Sequence, residues 1–294
     1  MTEPRVTWAS YGKRRGWAHW GEQSALRLTV PGDEWMTKAV RVAAAAEGGK
    51  LDAVQCYDAG VMSAGPLQGT AAWGYLQRLI GRMQAHDFER VTDHLGEILY
   101  ERSWSAIWEA PVGAFTRGGY AFYSLDHETD RQDPNDTRPE LCRILLGGSD
   151  GVTWNKEQSD HAKAWVRGLV GLLRDPTFAP VVADECAWIL RRFLWSKAVP
   201  YLERVESVPG ILRAAYLAFA INHPAGALRL LKGTVALLYD EPLERAPDPT
   251  PDGTVAAMLV AAQGRQYRTP NTFPARAKAI HKALGREFDF WAPT

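Results

Sequence analysis

Apolar residues return at helical spacing along most of this chain, and they predict a mainly α fold with one small β element. Trp35, Ala39, Val40, Ala43 and Ala44 follow the turn Pro31-Gly32-Asp33. Asp33 is the expected N-cap of that helix, and Gly48-Gly49 should end it directly after Glu47. Trp73, Leu76, Ile80 and Met83 share one face of a second helix over 70–84, and Val91, Leu95, Ile98, Leu99 and Trp104 mark a third over 88–108. Further helices are predicted over 160–174, 181–194, 201–205, 209–222, 224–232, 254–262 and 274–285. Alternation is confined to the first quarter of the chain. An irregular arm carrying Trp8, Tyr11, Trp17 and Trp20 leads to a short strand at Ala25–Val30, and 51–68 reads as a hairpin with Gly60 and Gly65 in its turns. The resulting organisation is an N-terminal arm, 1–30, and one large helical domain, 31–294. Residues 110–160 form an insertion in it, and 241–252, with Pro242, Pro247, Pro249 and Pro251, a rigid surface connector. No repeat of solenoid length is visible.

Composition narrows the partners more than the fold. The 294 residues are 46% hydrophobic, enough for a sizeable core, and 34 basic side chains balance 34 acidic ones. That balance argues against a nucleic-acid partner. Cys56, Cys142 and Cys186 lie far apart, without the spacing of a zinc site or a disulfide framework, so no metal and no cofactor are expected. No uninterrupted apolar run is long enough for a membrane span, and the N-terminal residues lack a secretory h-region. The expectation is a protein made in the cytoplasm that reaches any external target by release or delivery. Twelve tryptophans supply flat faces suited to stacking on sugar rings, although core anchoring explains most of them equally well.

The chemistry concentrates between Glu47 and Gln68. A carboxylic acid ending a helix packed with Trp35, Val40 and alanines is partly desolvated, and the negative helix C-terminus acts in the same direction. Both effects favour the neutral acid that glycosidic-bond cleavage needs. Asp58 follows before the Gly/Ser turn Gly60-Val61-Met62-Ser63-Ala64-Gly65, which ends in the amide of Gln68.

The order Glu47, two glycines, a short strand, Asp58, then Ser63-Ala64-Gly65-Pro66-Leu67-Gln68 resembles the active-site segment of the goose-type lysozymes and lytic transglycosylases of the lysozyme-like superfamily. The resemblance covers about 40 residues, and its elements are short. It implies a lysozyme-like α+β fold with a small β-hairpin beside the active site and additional helices. Glu47 would be the general acid, Asp58 the partner carboxylate, and Gln68 a residue lining the cleft. Tyr57, Ser63 and Asn222 join Gln68 as substrate-binding candidates, although Tyr57 also suits a buried hairpin and Asn222, before His223-Pro224, a helix C-cap. Two departures stand out: Gly48 replaces the usual Ser after the acid, and Pro66 replaces a more usual Leu. Asp52 competes with Asp58 as the second carboxylate. A base about 6.5–9.5 Å from the acid would activate water, whereas without one the substrate's own hydroxyl would close a 1,6-anhydro ring.

The implied function is cleavage of peptidoglycan or a related glycan polymer, by hydrolysis or by the lytic route, as in a phage endolysin or an effector loaded into an injection particle. A chitosanase-like glycosidase is an alternative within the same chemistry, and a non-catalytic structural or cargo protein of such a particle an alternative outside it. Rival motifs are weaker. The acidic run Asp126 to Asp136 lacks the glycine and terminal Glu of an EF-hand, His94 and Glu97 lack a matching second helix, and Ser63 lacks the glycines of a nucleophile elbow.

Overall fold

The computed structural model describes residues 3–11, 14–56, 62–71, 75–96, 160–193, 210–221 and 273–287, together with Ala227 and Leu231. The helices expected at 201–205 and 254–262, most of that at 224–232, the 110–160 insertion, the proline connector, and Tyr57, Asp58 and Asn222 lie outside the described residues. What is described is mainly helical, with a small antiparallel sheet. The strands are β1 (Thr7–Tyr11), β2 (Arg14–His19), β3 (Val54–Gln55), β4 (Ser63–Ala64) and β5 (Gly69–Thr70), hydrogen-bonded in that order. The helices are α1 (Glu34–Ala46), α2 (Tyr75–His86), α3 (Phe88–Leu95), α4 (Asp160–Arg174), α5 (Ala179–Phe193), α6 (Gly210–Ala220) and α7 (Phe273–Glu287). The chain forms two compact units, one of Met1–Gln23 with Lys50–Val182 and the other of Ser24–Gly49 with Ala183–Thr294.

The first unit holds the whole sheet. The aromatic arm proves to be its first two strands, with Thr7 opposite Ala18 and Tyr11 opposite Arg14. Trp8 meets Trp17 across the pair, edge to face at 5.2 Å between ring centroids. Cross-strand aromatic pairs of this kind stabilise a ribbon that is too short to stand alone. Helix α4 packs on β2 and β3, and the Lys163 ammonium stands 4.6 Å from the Trp17 ring centroid. The strand expected at Ala25–Val30 is instead a single 3-10 turn, Ala25–Arg27, because the Ser24 hydroxyl accepts the Leu26 N–H and starts a helical turn.

Helices α3 and α4 approach closely because glycines permit it. A Cβ on Gly168 would lie 2.6 Å from Leu95 Cδ2 and 2.8 Å from the His94 carbonyl oxygen, and one on Gly171 would lie 2.6 Å from His94 Nδ1. Gly285 in α7, by contrast, faces open space. Glycine inside a helix costs about 1 kcal/mol relative to alanine. Gly285→Ala is therefore expected to stabilise by about 0.5–1 kcal/mol. Gly168→Ala should destabilise by about 1–3 kcal/mol, overpacking outweighing the propensity gain. Urea unfolding of the two variants checks the opposite signs.

The second unit packs α1 against α6 and α7. Asp33 caps α1 as expected, its Oδ1 accepting the Met36 N–H at 2.8 Å while Arg191 donates to Oδ2 at 2.9 Å. Met36, Ala39, Val40, Ala43 and Ala44 form the buried stripe of α1. Arg41 ties the helix outward, donating from Nε to the Leu28 carbonyl and pairing through Nη1 with Glu287 of α7.

Candidate functional site

Glu47 occupies the C-cap of α1, and the two glycines after it complete the stop. Gly48 and Gly49 have φ of 100° and 70°, which side-chain-bearing residues rarely adopt. The Gly48 N–H donates to Ala45 O at 3.2 Å and the Gly49 N–H to Ala44 O at 2.8 Å. This is the paired hydrogen-bond pattern of a Schellman stop, so the sequence Glu-Gly-Gly fixes where the carboxylate leaves the helix. The Glu47 side chain is only 10% exposed, and Arg276 from the start of α7 donates from Nη2 to Oε1 at 2.9 Å. Arg276 Nε also reaches the Ala46 carbonyl at 3.4 Å, so one guanidinium addresses both the helix end and the acid. Glu47 is thus sheltered, in line with the desolvation argument, but in contact with a cation that the sequence did not pair with it.

After Gly49 the chain enters the first unit as an antiparallel meander. Val54 pairs with Ala64, Gln55 with Ser63, Ser63 with Thr70 and Ala64 with Gly69. The 51–68 hairpin of the sequence reading is therefore part of a three-strand meander, β3 to β5, followed by α2. Ser63 is fully buried in its central strand and is not open to solvent. Gln68 has φ of 50°, and both its backbone N–H and its Nε2 donate to the Gly65 carbonyl, at 3.1 and 3.0 Å. Its amide therefore closes the β4–β5 turn. Glu47 belongs to the second unit and Ser63 and Gln68 to the first.

Asp52, the competing second carboxylate, is fully buried and engaged on both oxygens. Its Oδ1 accepts the N–H groups of Glu22 and Gln23 at 2.8 and 2.9 Å. Its Oδ2 faces Arg174 Nε at 2.7 Å and His19 Nε2 at 3.1 Å. Burial alone would raise its pKa, but the hydrogen bonds from Arg174, Gln23, Glu22 and His19 outweigh it and hold the carboxyl below the usual aspartate value. An aspartate whose lone pairs are all engaged has none left to activate a water. Asp52 is therefore the tie between β2, the loop after it, and α4.

A second buried carboxylate ties α3 to the end of α4. Asp175 accepts Thr177 N–H at 2.9 Å through Oδ1, and its Oδ2 faces Arg90 Nη1 at 3.0 Å and His94 Nε2 at 3.2 Å. Burial opposes ionisation, but the donors from Thr177, His94 and Arg90 win and lower its pKa to about 2. A folded-state value below the unfolded one contributes stability that is present above about pH 4 and is lost as pH falls towards 2. The contribution is about 2 kcal/mol. Asp175→Asn is expected to flatten the acid limb of a stability–pH curve between these values, and urea midpoints measured across that range check it.

Among the described residues no group of three or more His, Cys, Asp or Glu side chains is arranged to hold a metal ion. No helix among them is long and apolar enough to cross a membrane. The partner of Glu47 that the sequence did not announce is Arg276, which lies in a separate helix far along the chain and carries no local motif. Comparison with protein-family models, with curated proteins and with solved structures finds no match in any of the three.

Proposed function

We propose that the chain cleaves glycosidic bonds of peptidoglycan, with Glu47 donating the proton to the leaving oxygen. The observation that carries this reading is the placement of Glu47: a nearly buried carboxylate set at the end of α1 by a Schellman stop. A sheltered acid presented by rigid backbone is what protonation of a glycosidic oxygen requires. Asp58 is proposed as the base or electrostatic partner, and Asp52 is not, because its hydrogen bonds are already spent. Gln68 and Tyr57 would border the substrate groove. Release or particle-borne delivery would bring the enzyme to the wall.

The Arg276 contact favours one second reading. A carboxylate paired with a guanidinium is also what a purely structural helix clasp contains, as expected if the chain is a non-catalytic particle component. Digestion of purified peptidoglycan by wild type and Glu47→Gln separates the two. Loss of soluble product in the variant supports the acid role, and turnover unaffected by the substitution would refute it. Mass analysis of the product ends then tells a reducing sugar from a 1,6-anhydro sugar.

A further inference from the structure

One face of α4 lines an open cavity of about 390 Å³ in the first unit. Asp160, Lys163, Ala164, Arg167 and Gly168 recur at the three- and four-residue spacing that places them on one side of the helix, and His94 of α3 closes the wall. Ala164 and Gly168 make a shallow floor, the second kept small by Leu95 and the His94 carbonyl beneath it. The ring of His94 is held against Asp175, so this wall is fixed. Charge along the rim is ordered: a carboxylate at Asp160, then the cations Lys163 and Arg167. We infer that this cavity binds a zwitterionic peptide end, with Arg167 and Lys163 on the carboxylate and Asp160 on the ammonium.

The fold already contains a stand-in for the carboxylate half. Glu3, 73% exposed, pairs with Arg167 at 2.9 Å, and Arg167 is itself 46% exposed. An ion pair this open contributes at most about 1 kcal/mol and is readily displaced by a better-placed carboxylate. The Lys163 ammonium stands over the Trp17 ring, a cation–π contact that positions it while leaving its other N–H groups to donate. Asp160 and Arg167 are two helical turns apart, roughly 10 Å along the axis, and an extended tripeptide spans about the same length. The ligand class is therefore a peptide of two or three residues with both ends free. The inference does not rest on the glycosidase reading, because no residue of the cavity takes part in it.

Calorimetric titration of the full chain at low ionic strength with trialanine, its N-acetyl form, its C-terminal amide and inorganic phosphate tests the assignment. Trialanine should bind, the amide should bind about tenfold more weakly, and the N-acetyl form should lose several-fold. Asp160→Ala should weaken trialanine but not the N-acetyl peptide, and Arg167→Ala should abolish the preference for a free carboxylate. Glu3→Gln should tighten binding by about two- to fivefold by removing the internal competitor. Thermal melts of the three variants, all at partly or fully exposed positions, should coincide with wild type. No binding of trialanine, phosphate binding as tight as trialanine, or a Glu3→Gln variant that binds no more tightly would each overturn the proposal.

Discussion

Asp52→Asn is expected to destabilise the protein by about 3–5 kcal/mol, the range for removing one partner of a buried ion pair. The substitution is isosteric, so no cavity forms, and the cost arises from hydrogen-bond polarity. Three N–H donors converge on the Asp52 carboxylate, the backbone amides of Glu22 and Gln23 on Oδ1 and Arg174 Nε on Oδ2, where His19 Nε2 also lies at 3.1 Å. An asparagine amide carries two donors of its own on one side. In either flip it turns an NH2 group against donors, the backbone amides of Glu22 and Gln23 or the Arg174 guanidinium. The Arg174 guanidinium, 7% exposed, then keeps only the exposed Glu22 carboxylate as counter-charge. Urea denaturation at neutral pH measures the effect. A loss below about 1 kcal/mol would mean that water enters the cluster and the network is not dry.

The contrast between Asp33 and Asp52 shows which parts of the fold could be read in advance. Asp33 caps a helix through an N–H three residues away, so its role follows from local chain geometry and was legible beside the turn Pro31-Gly32. The α1 stripe and the Gly-Gly stop were legible for the same reason, as were the α2 face of Leu76, Ile80 and Met83 and the span of α4. Asp52 draws donors from β2, the loop after it, and α4, and no periodicity reports on partners so remote. The aromatic arm misled for a related reason. Trp8 and Trp17 pack across a strand pair whose register depends on tertiary contacts, including Lys163 of α4 on Trp17, and β propensity in a short window does not announce this. Ala25–Val30 alternates as a strand should, but the local Ser24 cap overrides the alternation. The glycines of α4 could have been noticed. Two helix-interior glycines at positions 168 and 171 sacrifice propensity, and that sacrifice marks the close approach of α3.

At the candidate site the same division holds. The position of Glu47 was legible from its helix and the glycines behind it, whereas its electrostatic partner was not. That partner now sharpens the prediction for activity. If Glu47 is the acid, Glu47→Gln should lower peptidoglycan turnover by roughly 10²–10⁴-fold, because the amide cannot supply the proton. Its stability cost should be small, since the Gln carbonyl oxygen can still accept from Arg276 Nη2. Arg276→Gln tests the clasp by stability instead. The substitution removes the guanidinium that addresses both the Glu47 carboxylate and the Ala46 carbonyl, so the variant is expected to lose about 1–3 kcal/mol, read as a lower urea midpoint. An unchanged midpoint would mean that the Arg41–Glu287 pair holds α7 to α1 without it.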